Sequence, residues 1–198
     1  RELGCAAHEA VMVSSDYGAD VAGAKSAGLT AIWFNPGTLP CPDAHPQHDA
    51  ELLAMADLPG LLARPRLPDL PACAALLAKY RVAANILAHV RAVAAVAFRL
   101  AERLRAAGEM VDPLLAHRGG LLHDVAKIAA QGSPQGHDDL AGQILRELGQ
   151  PELAAIAERH TVWAVIDPAK RPDTWEQKLV FFADRIVVED FPQGVEAR

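Results

Sequence analysis

The stretch Leu121-Leu122-His123-Asp124-Val125-Ala126-Lys127 places a histidine beside a carboxylate in an otherwise apolar, helix-compatible run. Burying both groups is unfavourable unless a partner compensates them, and a metal ion is the commonest partner that satisfies an imidazole and a carboxylate together. For an isolated pair, the alternative is a helix end whose polar residues face water. Further ligands elsewhere in the chain would favour the metal site.

The bulk composition is that of a folded protein without an excess of positive charge. With 198 residues and an apolar fraction of 51%, the chain can form one large domain or two small ones, each with a hydrophobic core. The formal net charge of -6 argues against a general nucleic-acid or membrane-surface binder, because such proteins usually present a basic face. A local cationic pocket for phosphate is still compatible with this charge.

Cysteine content and hydropathy indicate where in the cell the protein is expected. The three cysteines, Cys5, Cys41 and Cys73, are odd in number and show no CxxC spacing, which predicts reduced thiols in a cytoplasmic protein. We find no apolar run of the roughly 18 residues that a membrane helix needs. The first residues do not follow the signal-peptide pattern. We therefore expect no association with a membrane.

Residues 1–63 are predicted to form a small α/β segment. Short apolar runs at 10–14 and 30–34 are strand candidates, and the small-residue stretch 19–27 between them is typical of a helix packed on a sheet. Gly28 is placed to end that helix. Strand, helix and strand in this order predict a parallel βαβ unit. An amphipathic piece at 50–55 can pack beside it, and His45 and His48 are expected to be solvent-exposed.

Residues 13–24, together with 27–28 and 32–35, resemble the C-terminal end of a haloacid-dehalogenase-like hydrolase. In that family the loop after the strand carries carboxylates that hold magnesium. Here Ser14-Ser15 stands where that family has Gly-Asp, which leaves Asp16 and Asp20 as substitutes. The family's nucleophilic aspartate lies on an earlier strand that this chain does not contain. We therefore expect an incomplete or decayed hydrolase half without activity.

A proline-rich linker and an all-helical domain are predicted to follow. Residues 64–71 contain three prolines in eight positions and show no periodicity, which is typical of a domain boundary. Beyond it, alanine, leucine and arginine recur with helical spacing and extended strand signals vanish. The predicted fold class is therefore mainly α, an all-helical bundle over 72–198 preceded by the α/β segment.

The predicted helices of 72–198 bring polar side chains to their apolar stripes. One helix spans about 85–107, a second runs from Pro113 through the His-Asp pair, and a third starts after His137. The last helix is announced by Asp173 and Glu176, spaced as in a capping box. The polar residues on the stripes or at their ends are His89, His123, Asp124, His160 and Asp184.

Each of these residues has a separate explanation as a hydrogen-bonded core histidine or a capping aspartate, but together they favour a shared partner. Burying them without one is costly, whereas one or two divalent ions neutralise the carboxylates and bind the imidazoles. Nitrogen and oxygen ligands without thiolate favour iron, manganese, zinc, cobalt or nickel. The sequence does not choose among these metals.

The order His89, His123-Asp124 and Asp184 resembles that of the HD superfamily of metal-dependent phosphohydrolases, and the resemblance covers about residues 73–190. It implies that these four residues hold a first metal. It also implies that His137 and His160 hold a second metal, with Asp124 as the bridge. The implied activity is hydrolysis of a phosphate ester or anhydride by a metal-activated water, with a small phosphorylated molecule, a nucleotide, as the substrate.

Three basic residues are candidates for contact with the substrate phosphate. Lys127 lies one helical turn after His123, so we expect it to contact a phosphate oxygen or assist the leaving group. The alternative is that Lys127 is an ordinary lysine at the end of a helix, exposed to solvent. Arg159 and Arg185 are further candidates, and each can equally be a surface charge.

The residues after His160 argue against one class of substrate but do not identify the substrate. Thr161-Val162-Trp163-Ala164 stands where the cyclic-dinucleotide branch of the superfamily has Gly-Tyr-Pro, which argues against cyclic di-GMP. The spacing is more similar to that of small bacterial HD hydrolases, including those that cleave symmetrical dinucleoside polyphosphates. The alternative function is a nucleotide-binding or regulatory module with a structural metal site and no turnover. A homodimer is left open.

Overall fold

The structure is a computed structural model that describes residues 4–188 and 191–192. The chain divides between Leu70 and Pro71 into two compact units, which we describe separately. This division lies within the predicted linker 64–71. The linker is shorter than predicted, because a helix already begins at Leu70.

The first unit contains a three-stranded parallel sheet in the order β1 (Val11–Ser14), β2 (Thr30–Phe34) and β3 (Ala50–Leu52). Helix α1 (Ala22–Ser26) connects β1 to β2, and it follows a π-helical turn at Tyr17–Val21. The parallel pairing of β1 with β2 confirms the predicted βαβ order. The central strand β2 is buried along most of its length, as expected for a strand paired on both sides.

Strand β3 was not predicted from the sequence, which indicated only an amphipathic piece at 50–55. A 3-10 turn at Met55–Asp57 and helix α2 (Leu58–Ala63) follow it. Contacts to a residue distant in sequence hold its position: the backbone N–H of Asp49, just before β3, donates to the Ala31 carbonyl, and the Asp49 carboxylate accepts the Ala31 N–H, both at 2.8 Å. A three-residue strand specified by such contacts leaves little periodic signal.

Three polar side chains of this unit lie differently from expectation. His48 is buried rather than exposed, and its ring packs against Tyr17 and Trp33 with centroid distances of 5.6 Å to each. Asp16 accepts the Ala19 N–H at 2.9 Å as a helix cap, and Asp20 accepts from the Ser14 hydroxyl at 2.7 Å. Both carboxylates expected to replace the magnesium ligands of the dehalogenase-like family thus make local contacts.

The second unit is built from helices packed around α4, α5 and α9, with α6 paired to α7. The helices are α3 (Leu70–Lys79), α4 (Ala84–Ala106), α5 (Pro113–Leu122), α6 (His137–Glu147), α7 (Pro151–Glu158), α8 (Val162–Ile166) and α9 (Trp175–Ile186). After α9, strands β4 (Val187–Val188) and β5 (Phe191–Pro192) pair antiparallel. This short antiparallel pair corrects the all-helical prediction, and α9 ends at Ile186, directly before it.

A glycine lets α4 and α5 approach closely. A Cβ on Gly120 would lie 2.6 Å from the Ala94 Cα, a distance that real side chains do not reach. The facing residues are also small or branched and fully buried, which makes a dense core. The buried set includes Val93, Ala97, Ala101, Ala116, Val180 and Ala183.

The capping box of α9 is shifted by one residue from its predicted position. The Thr174 hydroxyl accepts the Gln177 N–H, and the Gln177 side chain accepts the Thr174 N–H, both at 3.4 Å. Glu176 instead accepts the Asp112 N–H at 2.7 Å. This bond joins the start of α9 to the residue that caps α5, a tertiary contact that local spacing does not encode.

Helix α4 is long and apolar enough to cross a membrane by length and composition alone, which differs from the expectation that no such run exists. The helix carries Arg91 and Arg99 within this length. Its buried residues Val90, Val93 and Ala97 belong to the core that α4 forms with α5 and α9. A core helix of a globular protein passes the same test of length and composition.

Candidate metal centre

The His-Asp pair lies just beyond the end of α5. The helix ends at Leu122, not after Asp124 as predicted, and a run of tight turns follows. Backbone bonds from the Val125 N–H to the Leu122 carbonyl and from the Lys127 N–H to the Asp124 carbonyl span three residues rather than four. His123 and Asp124 are both buried, so they do not form the solvated helix end that was the alternative.

All six predicted ligands converge at this point. His89 comes from α4, His137 is the first residue of α6, His160 follows α7 and Asp184 lies on α9. Their donor atoms form three overlapping groups, within each of which the atoms lie within 4.8 Å of one another. The groups are His89, His123 and Asp124; His123, His160 and Asp184; and Asp124, His137 and His160.

Asp124 divides its two oxygens between different partners. Oδ1 lies 3.4 Å from His137 Nε2 and 3.5 Å from His160 Nε2. Oδ2 lies 3.6 Å from His123 Nε2 and 2.6 Å from Lys127 Nζ. A carboxylate placed in this way can serve two cations at once.

Asp184 faces the other side of the cluster. Its Oδ1 lies 2.9 Å from His89 Nε2 and 3.6 Å from His123 Nε2. Its Oδ2 accepts a hydrogen bond from Arg185. The Arg185 guanidinium thus compensates the negative charge at Oδ2, while Oδ1 faces the imidazoles of His89 and His123.

The backbone orients two of the imidazoles. His123 Nδ1 lies 2.8 Å from the Gly120 carbonyl oxygen, and His160 Nδ1 lies 2.6 Å from the Ala157 carbonyl oxygen. A carbonyl only accepts, so each Nδ1 carries the proton and each Nε2 presents its lone pair to the cluster. Metal-binding histidines are commonly held in this way.

Two buried atoms at the centre of the cluster make no hydrogen bond to the described residues: His123 Nε2 and Asp124 Oδ1. Buried polar atoms are nearly always satisfied, so each such atom calls for a partner. Both are atom types that bind metals. His123 Nε2 faces the Asp184 carboxylate, and Asp124 Oδ1 faces the imidazoles of His137 and His160. The residues therefore fit a divalent cation with nitrogen and oxygen ligands.

Electrostatics keep both carboxylates ionised. Burial alone raises the pKa of Asp124, but His123, His137 and His160 outweigh it and hold that pKa well below its ordinary value. For Asp184, burial is likewise outweighed by His123 and His89, so its pKa is also lowered. The cluster thus offers two anionic ligands at neutral pH.

The pKa values of His160 and His123 are shifted in opposite directions. Burial lowers the pKa of His160, which favours the neutral imidazole that a metal requires. Burial also acts to lower the pKa of His123, but Asp124 and Asp184 outweigh it and the net pKa is raised. The two carboxylates thus favour the protonated form of His123, and a cation bound at Nε2 would compete with that proton.

The cluster lies in a pocket of about 1030 Å³. Lys127 and Arg185 line it, which brings two of the three predicted phosphate contacts to the site. Arg159 is not in this lining; its guanidinium bonds the Ala155 carbonyl at 3.3 Å and lies 3.8 Å from Glu158. The pocket is also lined by residues that sequence reasoning did not assign to the site: Asn85, Ile86, Ala88, Ile128, Gln131, Thr161, Val162, Trp163, Val187 and Val188.

A close contact joins α6, which begins at His137, to α7, which ends just before His160. A Cβ on Gly142 of α6 would lie 2.4 Å from Glu158 Oε1, so only glycine leaves room for that carboxylate. Glu158 in turn pairs with both terminal nitrogens of Arg146 at 2.5 Å each. The pair was not predicted, because Arg146 and Glu158 lie on different helices.

Comparison with known proteins agrees with this geometry. The HD domain family model matches residues 86–188, a span that contains every residue of the cluster. An uncharacterized protein of Methanocaldococcus jannaschii is 39% identical over 114 residues, which cover 52% of this chain and 66% of that protein. Ribonuclease Y of Aquifex aeolicus is 33% identical over 104 residues, covering 52% of this chain and 16% of the enzyme.

The chain therefore spans less than two thirds of either relative. No solved structure matches it. The resemblance of residues 1–63 to haloacid-dehalogenase-like hydrolases receives no support from these comparisons. Because the family model covers more than half of the 198 residues and includes the whole cluster, the chain belongs to the HD domain family.

Proposed function

We propose that the second unit is a metal-dependent phosphohydrolase that cleaves a phosphate ester or anhydride of a nucleotide. The observation that carries the proposal is the position of Asp124, whose Oδ1 faces His137 and His160 while its Oδ2 faces His123. A shared carboxylate between two sets of imidazoles is the ligand arrangement that a pair of divalent ions needs. The family assignment supports the same reaction class.

In this proposal His89, His123, Asp124 and Asp184 hold one ion, and Asp124 also serves a second ion held by His137 and His160. The metal is iron, manganese, zinc, cobalt or nickel, because every donor is nitrogen or oxygen. When bound, such ions lower the pKa of water and stabilise the charge on phosphoryl oxygens. The residues themselves supply the position and orientation of the reacting phosphate.

Lys127 is proposed to bind a phosphate oxygen. Its ammonium has three donors, of which one goes to Asp124 Oδ2 at 2.6 Å. Its side chain is 45% exposed and lines the pocket, so its remaining donors can reach a substrate. The contact with Asp124 sets the position of this charge relative to the cluster.

Arg185 is proposed to be a second phosphate contact. It bonds the Asp184 carboxylate and the His160 carbonyl, the latter at 3.4 Å, while its Nε is buried without a hydrogen bond to the described residues. A guanidinium held on both sides presents its remaining donors in a fixed direction. Arg159 is left out of this set because it does not line the pocket.

The test combines metal analysis with a substrate panel. Protein purified without chelator is analysed for transition metals and assayed with manganese, iron or cobalt on nucleoside monophosphates, symmetrical dinucleoside polyphosphates and an RNA oligomer. The RNA is included because of the similarity to Ribonuclease Y. His123→Ala and Asp124→Ala are compared with Asp173→Asn, an exposed carboxylate outside the pocket.

We expect bound metal and hydrolysis in the wild type and in Asp173→Asn, and loss of both in the two cluster variants. A wild type without transition metal, together with unchanged hydrolysis in the variants, would refute the proposal. Tight nucleotide binding without turnover under every metal would instead establish the alternative, a regulatory module with a structural metal site.

A further inference from the structure

A tryptophan lies at the rim of the pocket and is not used by the proposed chemistry. Trp163 belongs to α8, the short helix that begins two residues after His160. It lines the pocket and is 74% exposed. An indole left this open to water leaves a large apolar face available to a ligand.

The rim segment, residues 161–170, is attached at both ends to the start of α6. The Thr161 hydroxyl donates to Asp138 at 3.4 Å, and Lys170 pairs with Asp139. Both aspartates directly follow His137, so the helix that supplies a ligand also holds the rim. Between these attachments Ala164 is buried, which anchors α8 and leaves Trp163 turned outward.

The pocket is larger than a phosphate requires. Its volume of about 1030 Å³ is that of a site for a whole small molecule, for which about 300–1,000 Å³ is usual. Besides the metal-cluster and basic residues, its lining includes apolar and amide side chains, among them Val162, Trp163 and Gln131. These side chains suit a flat, apolar group with polar edges.

We infer that Trp163 is the platform on which the base of a nucleotide substrate stacks while its phosphate lies at the metal cluster. The inference rests on the proposed function, because it takes the cluster as the phosphate end of the pocket. Every nucleobase has a π face, so stacking on an indole selects for a base without selecting one base. Trp163 therefore determines specificity for nucleotides over other phosphate esters.

The test compares two phosphates that differ only in the base. Binding of adenosine 5′-monophosphate and of ribose 5-phosphate is measured by titration calorimetry with manganese present, in the wild type and in Trp163→Ala, Trp163→Phe and Ile166→Ala. Ile166 is the matched control, since it lies on the same short helix, is 69% exposed and does not line the pocket.

Trp163→Ala is expected to weaken adenosine 5′-monophosphate binding by about 5- to 150-fold, the usual range for loss of one base–aromatic stack. Ribose 5-phosphate binding should stay unchanged in all variants. Trp163→Phe should retain most of the affinity for the nucleotide, and Ile166→Ala all of it. For nucleotides that the protein hydrolyses, Trp163→Ala should raise KM and leave kcat unchanged.

Equal loss of both ligands in Trp163→Ala would overturn the inference, since it would indicate a structural role. Unchanged nucleotide binding in that variant would overturn it too, as would a wild type that binds the nucleotide no more tightly than ribose 5-phosphate. In this last case metal-dependent binding of ribose 5-phosphate would leave the proposed phosphate site standing. If neither ligand bound to the manganese-loaded wild type, both the stacking role of Trp163 and the proposed phosphate site would be rejected.

Discussion

Lys127 donates to Asp124 at 2.6 Å, and it reaches the oxygen that does not face His137 and His160. The lysine is more exposed than any predicted metal ligand of the cluster, with 45% of its side chain accessible. It therefore combines a fixed contact to a buried carboxylate with access to the pocket. This position fits the phosphate contact proposed for Lys127 better than it fits a metal ligand.

Replacing Lys127 with methionine should lower kcat for a hydrolysed nucleotide by about 10²- to 10³-fold, the usual effect of removing one donor that stabilises developing charge. Metal content should be unchanged, because the lysine binds no metal. Steady-state kinetics and elemental analysis of the same preparation check both parts. Lys178→Met, at an exposed position of α9 outside the pocket, is the control. Loss of metal in Lys127→Met would contradict the assignment.

A divalent ion should stabilise the second unit. His123 Nε2 and Asp124 Oδ1 are buried without hydrogen bonds to the described residues, and a bound cation would satisfy both. At a free ion concentration of about 100 times Kd, the free energy of unfolding should rise by about 2.7 kcal/mol. Thermal denaturation with manganese and with a chelator measures the effect. His160→Ala should reduce the shift, and an equal shift in that variant would argue against the cluster as the binding site.

Gly120→Ala should destabilise the second unit. The added Cβ would lie 2.6 Å from Ala94 Cα and 2.9 Å from Ala94 N, which forces α4 and α5 apart. Overpacking of this kind costs about 1–3 kcal/mol. Gly60→Ala is the control because a Cβ there meets nothing within 4 Å. Urea denaturation of both variants gives the comparison, and equal stability of Gly120→Ala and wild type would contradict the close approach of the helices.

Asp112 should make stability depend on pH. Desolvation of its carboxylate raises the pKa of Asp112, and nearby Glu176 raises it further, against the hydrogen bonds from Leu115 and Leu114. The folded state thus binds this proton more tightly than the unfolded state. The contribution of Asp112 to stability is therefore greatest at low pH and is lost as pH rises from the ordinary aspartate range through the raised pKa.

Asp112→Asn removes this titration and keeps a side-chain oxygen for the cap of α5. The variant should gain stability relative to wild type as pH rises toward 7, and the gain should vanish in acid. Asp112→Ala also loses the cap, at a cost of about 1 kcal/mol relative to asparagine. Denaturant unfolding at a series of pH values tests this order. A pH-independent difference between Asp112→Asn and wild type would show that Asp112 keeps an ordinary pKa.

Local patterns predicted those parts of the fold that neighbouring residues specify. The run Thr30–Phe34 indicated β2 with its observed bounds, because a buried strand needs little more than a short apolar run between turns. Gly28, placed to end the first helix, has a φ angle of +76°, the left-handed conformation expected where a glycine ends a helix. The periodicity of 85–107 likewise predicted α4, whose apolar stripe forms the core.

The sequence by itself determined the HD family resemblance, the helical class of the larger unit and the types and order of the cluster residues from His89 to Asp184. These follow from residue identity and spacing along the chain. Tertiary structure alone decided that Asp124 faces two sets of imidazoles, that Arg159 lies outside the pocket and that Trp163 stands at its rim. Such relations depend on how separate helices cross, and the packing of small residues such as Gly120 against Ala94 sets that crossing.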